Sequence, residues 1–520
     1  MLCTLPTSVR AERDPNLPEG CIARFQLEGY TFTSLTIDKI GNSVSAFCGT
    51  ATGEVIEFDC ANGRHLSTFN RSESVEPAGI QSIAVTPTQI LATSPTTVMR
   101  WSRDSEIPET IASIESPNTL DPSGVFVASP RDSSPIWISS LPQPQHSWRV
   151  DHQVQSDLLR FSPDSRWLLS TRFGRLYCWR VSTGELVWKR RLASRATGLE
   201  FSPSHRELIV ATEYGIGYRL NIIDGETISE LGKERQFHSS PALAWSLDES
   251  LLIVTEPDNT LAIVEEFSHL VALRLKGHRD KVTGIRFLPD SQKFVSVDAS
   301  GVGLVWDLFD SSLASHTPPQ SSDSDVDDQL VMLWQHLSEI DSPRNVWTAV
   351  VTLRNQPEVA YAMIRNPPDG RSTLTRLISE LDHREYLVRA AATRSLRKFG
   401  VLAEPALRQA KQQKQSVEMQ RRLNRLLILL GNSRSQDAIR KKQADDLRLM
   451  RCVHLLTWIH TERSAEELAH LWEQADNRRV RDEIAKVLER TMRNLVFHRS
   501  RLTTWKQMLI RHHRVLRVIF

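Results

Sequence analysis

Between Phe161 and Phe287 the chain repeats one pattern of apolar and polar positions. FSPDS begins at Phe161, FSPSH at Phe201, WSLDES at Trp245 and FLPDS at Phe287, at spacings of 40, 44 and 42 residues. In each copy an alternating strand ends in this turn. A second apolar run follows (WLLST, ELIVAT, LLIVTE or KFVSVD), then a polar or glycine-containing turn and a third strand such as GRLYCWRV or GVGLVWDL. Short alternating runs bounded by turn residues read as strands. Proline presets φ in such turns, and aspartate bonds back to nearby backbone. A fourth run, for instance ELVWKR or LVALRL, leads into the next copy. Four antiparallel strands repeating every 40 to 44 residues make propeller blades.

Weaker copies lie upstream: LTID with VSAFCGT and GEVIEFD, IAVTPTQILATS with TTVMRW, and LDPSGVFVAS with PIWISS. Anchored near Thr36, Val85 and Leu120, they bring the expected count to seven blades. The last copy ends at Val305-Trp306-Asp307-Leu308 without a fourth strand. Ile22 to Gly29 stands before Leu35-Thr36-Ile37 as Val271 to Gly277 stands before Gly284 to Phe287. This N-terminal run is therefore expected to complete the last blade, closing the ring and removing two exposed sheet edges.

After a stretch rich in serine, aspartate and proline, DSSLASHTPPQSSDSDVDD, the period becomes helical. Leu374, Leu377, Ile378 and Leu381 fall at i, i+3, i+4 and i+7, as do Leu423, Leu426, Leu427 and Leu430, and Cys452, Leu455, Leu456 and Ile459. Each set paints one helix face, and such helices must stack on neighbours. Breaks fall at Asn366-Pro367-Pro368-Asp369-Gly370, at Gly400 and at Gly431-Asn432. The expected architecture is multidomain β plus α, a seven-bladed β-propeller followed by a helical array. Its expected segments are an N-terminal extension (1–21), the propeller (22–308), an acidic serine-rich linker (309–328), the helical array (329–490) and a basic C-terminal helix or tail (491–520).

Gly277-His278, Asp298 and Trp306-Asp307 give the last copy a resemblance to WD-repeat proteins. That resemblance implies a structural hydrogen-bond network of His278, Ser296, Asp298 and Trp306 within the blade, with His278 structural rather than a metal ligand or base. The other copies depart from the pattern: Trp179 is followed by Arg180, and no second Gly-His occurs. Those blades are expected to rely on apolar packing. Arg376 to Ala410 resembles a HEAT-like helical repeat, through Asp382, Val388-Arg389, Ala391, Ala392 and Gly400, with Pro405 suited to the first turn of the next helix. The resemblance implies that Asp382 and Arg389 stabilise repeat stacking. From about residue 22 to 490 the arrangement resembles a bacterial family of WD-repeat proteins carrying a C-terminal helical module, a family defined by architecture more than by task.

Composition narrows the function classes. With 64 basic and 62 acidic residues the chain carries +2, so overall charge does not point to nucleic acid. Six scattered cysteines form no C-x-x-C pair and read as buried free thiols. The first 20 residues lack the apolar run of a secretory signal, and no stretch approaches the roughly 18 apolar residues of a membrane span. A cytoplasmic protein is expected. Phosphate-loop, nucleophile-elbow, zinc-helix and dinucleotide signatures are missing, and Gly215-Ile216-Gly217 lacks the third glycine and following helix of the last.

No catalytic, cofactor or metal residue is therefore assigned. The expected function is a non-catalytic scaffold for protein or peptide partners. The alternative is an enzyme or small-ligand binder with its site in the propeller channel. After Glu489 no acidic residue occurs, and Arg499, Arg501, Lys506, Arg511, Arg514 and Arg517 are interleaved with apolar residues. A capping helix with a solvated basic face is the preferred reading of this tail; contacts with an anionic membrane, nucleic acid or an acidic partner are the alternatives.

Overall fold

The structure is a computed structural model that describes residues 16–496, apart from 74, 116–117, 131–134, 144–145, 151–155, 232–241, 315–322, 341, 369–370, 400–402, 414–415, 432–433 and 476. The chain divides into two compact units, Met1–Ser312 and Leu313–Phe520. The first contains seven four-stranded antiparallel sheets, and the second contains helices.

The repeated turn explains the regular blade geometry. Ser162 Oγ donates to Asp164 Oδ1 at 2.6 Å and accepts the Trp167 amide at 2.9 Å, so one hydroxyl ties both ends of the turn. Ser246 does the same, with its hydroxyl on Asp248 and the Leu251 amide at 2.9 Å. The fifth residue of each turn is left-handed: Ser165, His205, Glu249 and Ser291 have φ of 56°, 60°, 56° and 57°. In the degenerate third copy, LDPSG, that place belongs to Gly124, with φ of 69°.

In chain order the innermost strands of blades 1 to 7 are Phe32–Ile40, Ser82–Val85, Thr119–Leu120, Leu158–Phe161, Ala196–Phe201, Leu243–Trp245 and Val282–Phe287. The seventh sheet takes its outermost strand from the N-terminus. Cys21–Gln26 pairs antiparallel with Val302–Asp307, placing Ala23 opposite Val305 and Phe25 opposite Gly303. Gly303 is required there, because a Cβ would fall 1.9 Å from the Phe25 ring. That ring stacks on Phe58 of blade 1 with centroids 4.2 Å apart, within a core cluster shared by blades 7 and 1.

Apolar cores lie between successive blades, for example Ile136, Ile138 and Val150 of blade 3 with Phe161, Tyr177 and Trp179 of blade 4. Middle strands are buried on both faces, which is why they read as continuous runs such as LIVA rather than strict alternation. Tryptophans tie blades together: Trp148 Nε1 donates to the Val181 carbonyl at 2.8 Å, and Trp188 Nε1 to that of Ile222 at 2.7 Å. Cys21, Cys48, Cys60, Cys178 and Cys452 are buried. Burial pushes the thiols of Cys48 and Cys178 up, and those of Cys60 and Cys452 up to about 12, so these cysteines are not thiolates near neutral pH.

The stretch 309–328 is not a wholly irregular linker. Phe309 and Leu313 are buried, Ser311–Ala314 form a 3-10 turn, and the Ser312 amide bonds Asp310 Oδ1 at 2.9 Å. Helix α1 (Asp323–His336) begins inside it. There follow α2 (Pro343–Arg354), α3 (Pro357–Arg365), α4 (Arg371–Glu380), α5 (Tyr386–Phe399), α6 (Glu404–Lys411), α7 (Val417–Gly431), α8 (Arg434–Ile459), α9 (Glu462–Gln474) and α10 (Arg478–Val496). Proline opens α2 and α3 and lies in the first turn of α6.

Helices α4 and α5 pair, as do α6 and α7, and the two pairs pack through α4 on α6 and α5 on α7 around Leu377, Leu381, Leu396, Leu407 and Leu423. The remaining helices depart from a linear array, because α8 returns to pack on α2, and α9 on α3. Polar contacts lock the second return. The Tyr361 hydroxyl meets Ser464 Oγ at 3.0 Å, and Arg365 pairs at 2.8 Å with the fully buried Glu467.

Candidate functional site

The network in the last blade is assembled from two strands and a preceding loop. Trp306 Nε1 donates to Ser296 Oγ at 2.8 Å, Ser296 Oγ lies 2.6 Å from His278 Nε2, and His278 Nδ1 lies 2.8 Å from Asp298 Oδ2. With the ring proton on Nδ1 the chain is complete: indole to hydroxyl, hydroxyl to imidazole, imidazole to carboxylate. The imidazole and carboxylate side chains are 0% and 1% exposed, which leaves no room for a substrate. Gly277 permits the arrangement, since a Cβ there would lie 2.9 Å from the Trp306 ring. Burial alone would raise the Asp298 pKa, but hydrogen bonds from His278 and Ser300, the electrostatic pull of the His278 ring and the Val302 amide bring it below the usual carboxylate value.

Blade 4 keeps half of this device. Trp179 Nε1 donates to the buried Ser170 Oγ at 2.8 Å, so that blade does not rely on apolar packing alone. The signal was present in WLLST followed by CW, one residue closer together than Ser296 and Trp306.

The innermost strands enclose a central channel of about 490 Å³. Its lining is mostly small, hydroxylic and aliphatic, with Thr33, Thr36, Ser82, Ile83, Leu159 and Thr283 among its residues. Among the described residues, four charged ones line it: Arg160, Glu200, Lys281 and Arg286. Arg160 Nη2 donates to Glu200 Oε2 at 2.8 Å. Glu200 is the single carboxylate among these lining residues, and no histidine stands with it. Among the described residues no group of three or more His, Cys, Asp or Glu side chains is placed to hold a metal ion.

A second feature lies on the turns between the second and third strands of blades 4 and 5. Phe173 and Tyr214 occupy these turns and are 78% and 71% exposed. The Phe173 backbone is left-handed, with φ of 46°, and the Arg172 guanidinium lies 4.4 Å from its ring centroid. Phe173 N–H bonds Asp157, and Tyr214 N–H bonds Ser194 Oγ at 3.2 Å, so both turns are anchored to the loops that enter their blades. Neither aromatic was singled out from sequence, because only the blade geometry shows that the two turns are equivalent.

In the helical unit Asp382 follows α4 and accepts the hydroxyl of Ser416, whose Oγ in turn accepts the Met419 amide in the first turn of α7. Arg389 on α5 donates to the carbonyls of His383 and Arg384 at 2.6 and 2.7 Å. The two residues therefore grip the same turn without pairing with each other. Arg499, Arg501, Lys506, Arg511, Arg514 and Arg517 lie outside the described residues. Among the described residues no helix is long and apolar enough to cross a membrane.

Residues 124–288 match the family model described as outer membrane protein assembly factor BamB, and residues 271–307 match that of the WD domain, G-beta repeat. The Cps50 (Swd1) β-propeller domain of Myceliophteria thermophila, known from its crystal structure, is similar at 15% sequence identity and a TM-score of 0.46, over 54% of this chain and 98% of that one. No curated protein matches the chain.

Proposed function

We propose that the protein is a non-catalytic interaction scaffold, in which the propeller (22–308) and the helical region (329–490) present surfaces to protein or peptide partners. The observation that carries this reading is the aromatic pair Phe173 and Tyr214. Two large rings, 78% and 71% exposed on equivalent turns of adjacent blades, add little to the fold. Phe173 also sits in a left-handed backbone that L-residues other than Asn and Asp seldom adopt. Exposed aromatics beside arginine have the composition of interaction hot spots, and Arg172 supplies that neighbour. In the helical region we assign Asp382 and Arg389 a stacking role, in which the α4–α5 turn is held to the start of α7 in the manner of a HEAT-like repeat.

Affinity purification of the full chain with mass spectrometry, run beside the double variant Phe173→Ala, Tyr214→Ala, tests the assignment. Partners recovered with the parent chain are expected to fall at least about tenfold with the variant, the loss of one hot-spot contact. Undiminished recovery of the same partners would remove this surface from consideration.

A further inference from the structure

The channel holds a layer of charge that neither the blade cores nor the aromatic turns explain. Arg160, Glu200 and Arg286 each stand one residue before the aromatic that anchors their innermost strand, Phe161, Phe201 and Phe287. Equivalent positions on equivalent strands share one height in a ring, so the three side chains converge on one level of the cavity. Arg160 and Glu200 neutralise each other at 2.8 Å.

Arg286 is left over. Its Nη1 donates to the carbonyl of its own neighbour Ile285 at 2.7 Å, which offsets no charge. Burial lowers its pKa from the ordinary guanidinium value, Glu200 opposes that shift and Arg160 adds to it, so Arg286 feels both members of the pair. A guanidinium nonetheless stays protonated in proteins. Lys281, at the start of the same strand, also lines the cavity. Among the described lining residues, three cations against one carboxylate leave a net charge of +2 (3 − 1 = 2). The innermost strands each end a sheet, so their channel-side edge has no strand partner and offers backbone N–H groups as further donors.

We infer that the channel binds a small-molecule oxyanion, a carboxylate- or phosphate-bearing compound, with Arg286 as its principal contact and the Arg160–Glu200 pair beside it. The cavity of about 490 Å³ has the size of a small-molecule site. The planar guanidinium suits two parallel bonds to an oxyanion, and focusing of the field by low-dielectric walls favours entry of anions. Glu200 sets the selectivity: by holding Arg160 it leaves one free cation at this level, which matches a singly charged head group better than a multiply charged one.

Isothermal titration of the full chain with inorganic phosphate and with succinate, each against chloride at matched ionic strength, tests the inference. Saturable binding of one equivalent is expected, and the tighter of the two probes identifies the head group. Arg286→Gln is expected to weaken that binding at least about tenfold, the loss of a charge-assisted bond. Arg166→Gln, on an exposed turn, is expected to leave it unchanged. Glu200→Gln is expected to tighten binding several-fold, because it frees Arg160.

Circular dichroism verifies the fold of each variant, and should Arg286→Gln not fold, Glu200→Gln decides. Absence of saturable binding by both probes, equal affinity in Arg286→Gln and the parent chain, or weaker affinity in Glu200→Gln would overturn the inference. Partner recovery does not enter this readout, so the channel and the aromatic turns succeed or fail separately.

Discussion

At the scale of single residues, Ser296 joins two buried partners in the last blade. It accepts the Trp306 indole and meets the His278 imidazole, both buried. Ser296→Ala strands two polar groups at once, and each unsatisfied buried group costs about 1–3 kcal/mol. Ser170→Ala, which removes the one bond from the Trp179 indole to Ser170, is expected to cost about half as much in denaturant titrations. Asp298 adds a pH dependence. Its folded pKa is depressed, so its contribution is present above the ordinary carboxylate value and is lost as pH falls through the folded one. The stability gap between the parent chain and Asp298→Asn is therefore expected to shrink below about pH 4, and a constant gap from pH 6 to 3 would contradict it. In blade 7 the four residue types stood in a recognisable order, which made the network legible in sequence. The charged layer of Arg160, Glu200 and Arg286 was not, because side chains 40 and 86 residues apart meet only once the ring has closed.

At the scale of elements, the five-residue turns carry the propeller's regularity. Their fifth position is left-handed in each regular copy, although Ser165, His205, Glu249 and Ser291 are not glycine. The left-handed region costs an L-residue roughly 1–2 kcal/mol, and glycine escapes that cost while losing more entropy on folding. Ser291→Gly is therefore expected to raise stability by about 0.5–1 kcal/mol, read from the denaturant midpoint; a drop would mean that the serine side chain does something the hydrogen bonds do not show. Strand periodicity and turn chemistry are local, so the blades could be read directly. Helix faces could be read for the same reason: Leu374, Leu377, Ile378 and Leu381 all join one core. The return of α8 to α2 and of α9 to α3 could not, since it joins helices far apart in the chain, as the pairing of half-exposed Arg365 with buried Glu467 across 102 residues shows for α3 and α9.

At the scale of the whole molecule, the ring is closed by a strand from its opposite end. Ala23 and Phe25 belong to the core between blades 7 and 1, together with Phe58, Val295 and Val305. Removing residues 1–26 therefore deletes an inter-blade core and also bares the edge of Val302–Asp307. These two effects have different signatures. The lost core weakens folding, and Phe25→Ala, which removes a buried aromatic but leaves the backbone pairing, isolates it at about 3–5 kcal/mol. The bared edge invites pairing with another chain, so only the deletion is expected to appear as dimers or larger species in size-exclusion chromatography with light scattering. A deleted chain that stays monomeric, with a loss no greater than that of Phe25→Ala, would mean that the strand contributes its side chain and not its hydrogen bonds. The channel makes the same distinction at a second site. A ring opened at blade 7 displaces Val282–Phe287 and with it Arg286, so anion binding is expected to disappear in the deletion and to survive Phe25→Ala.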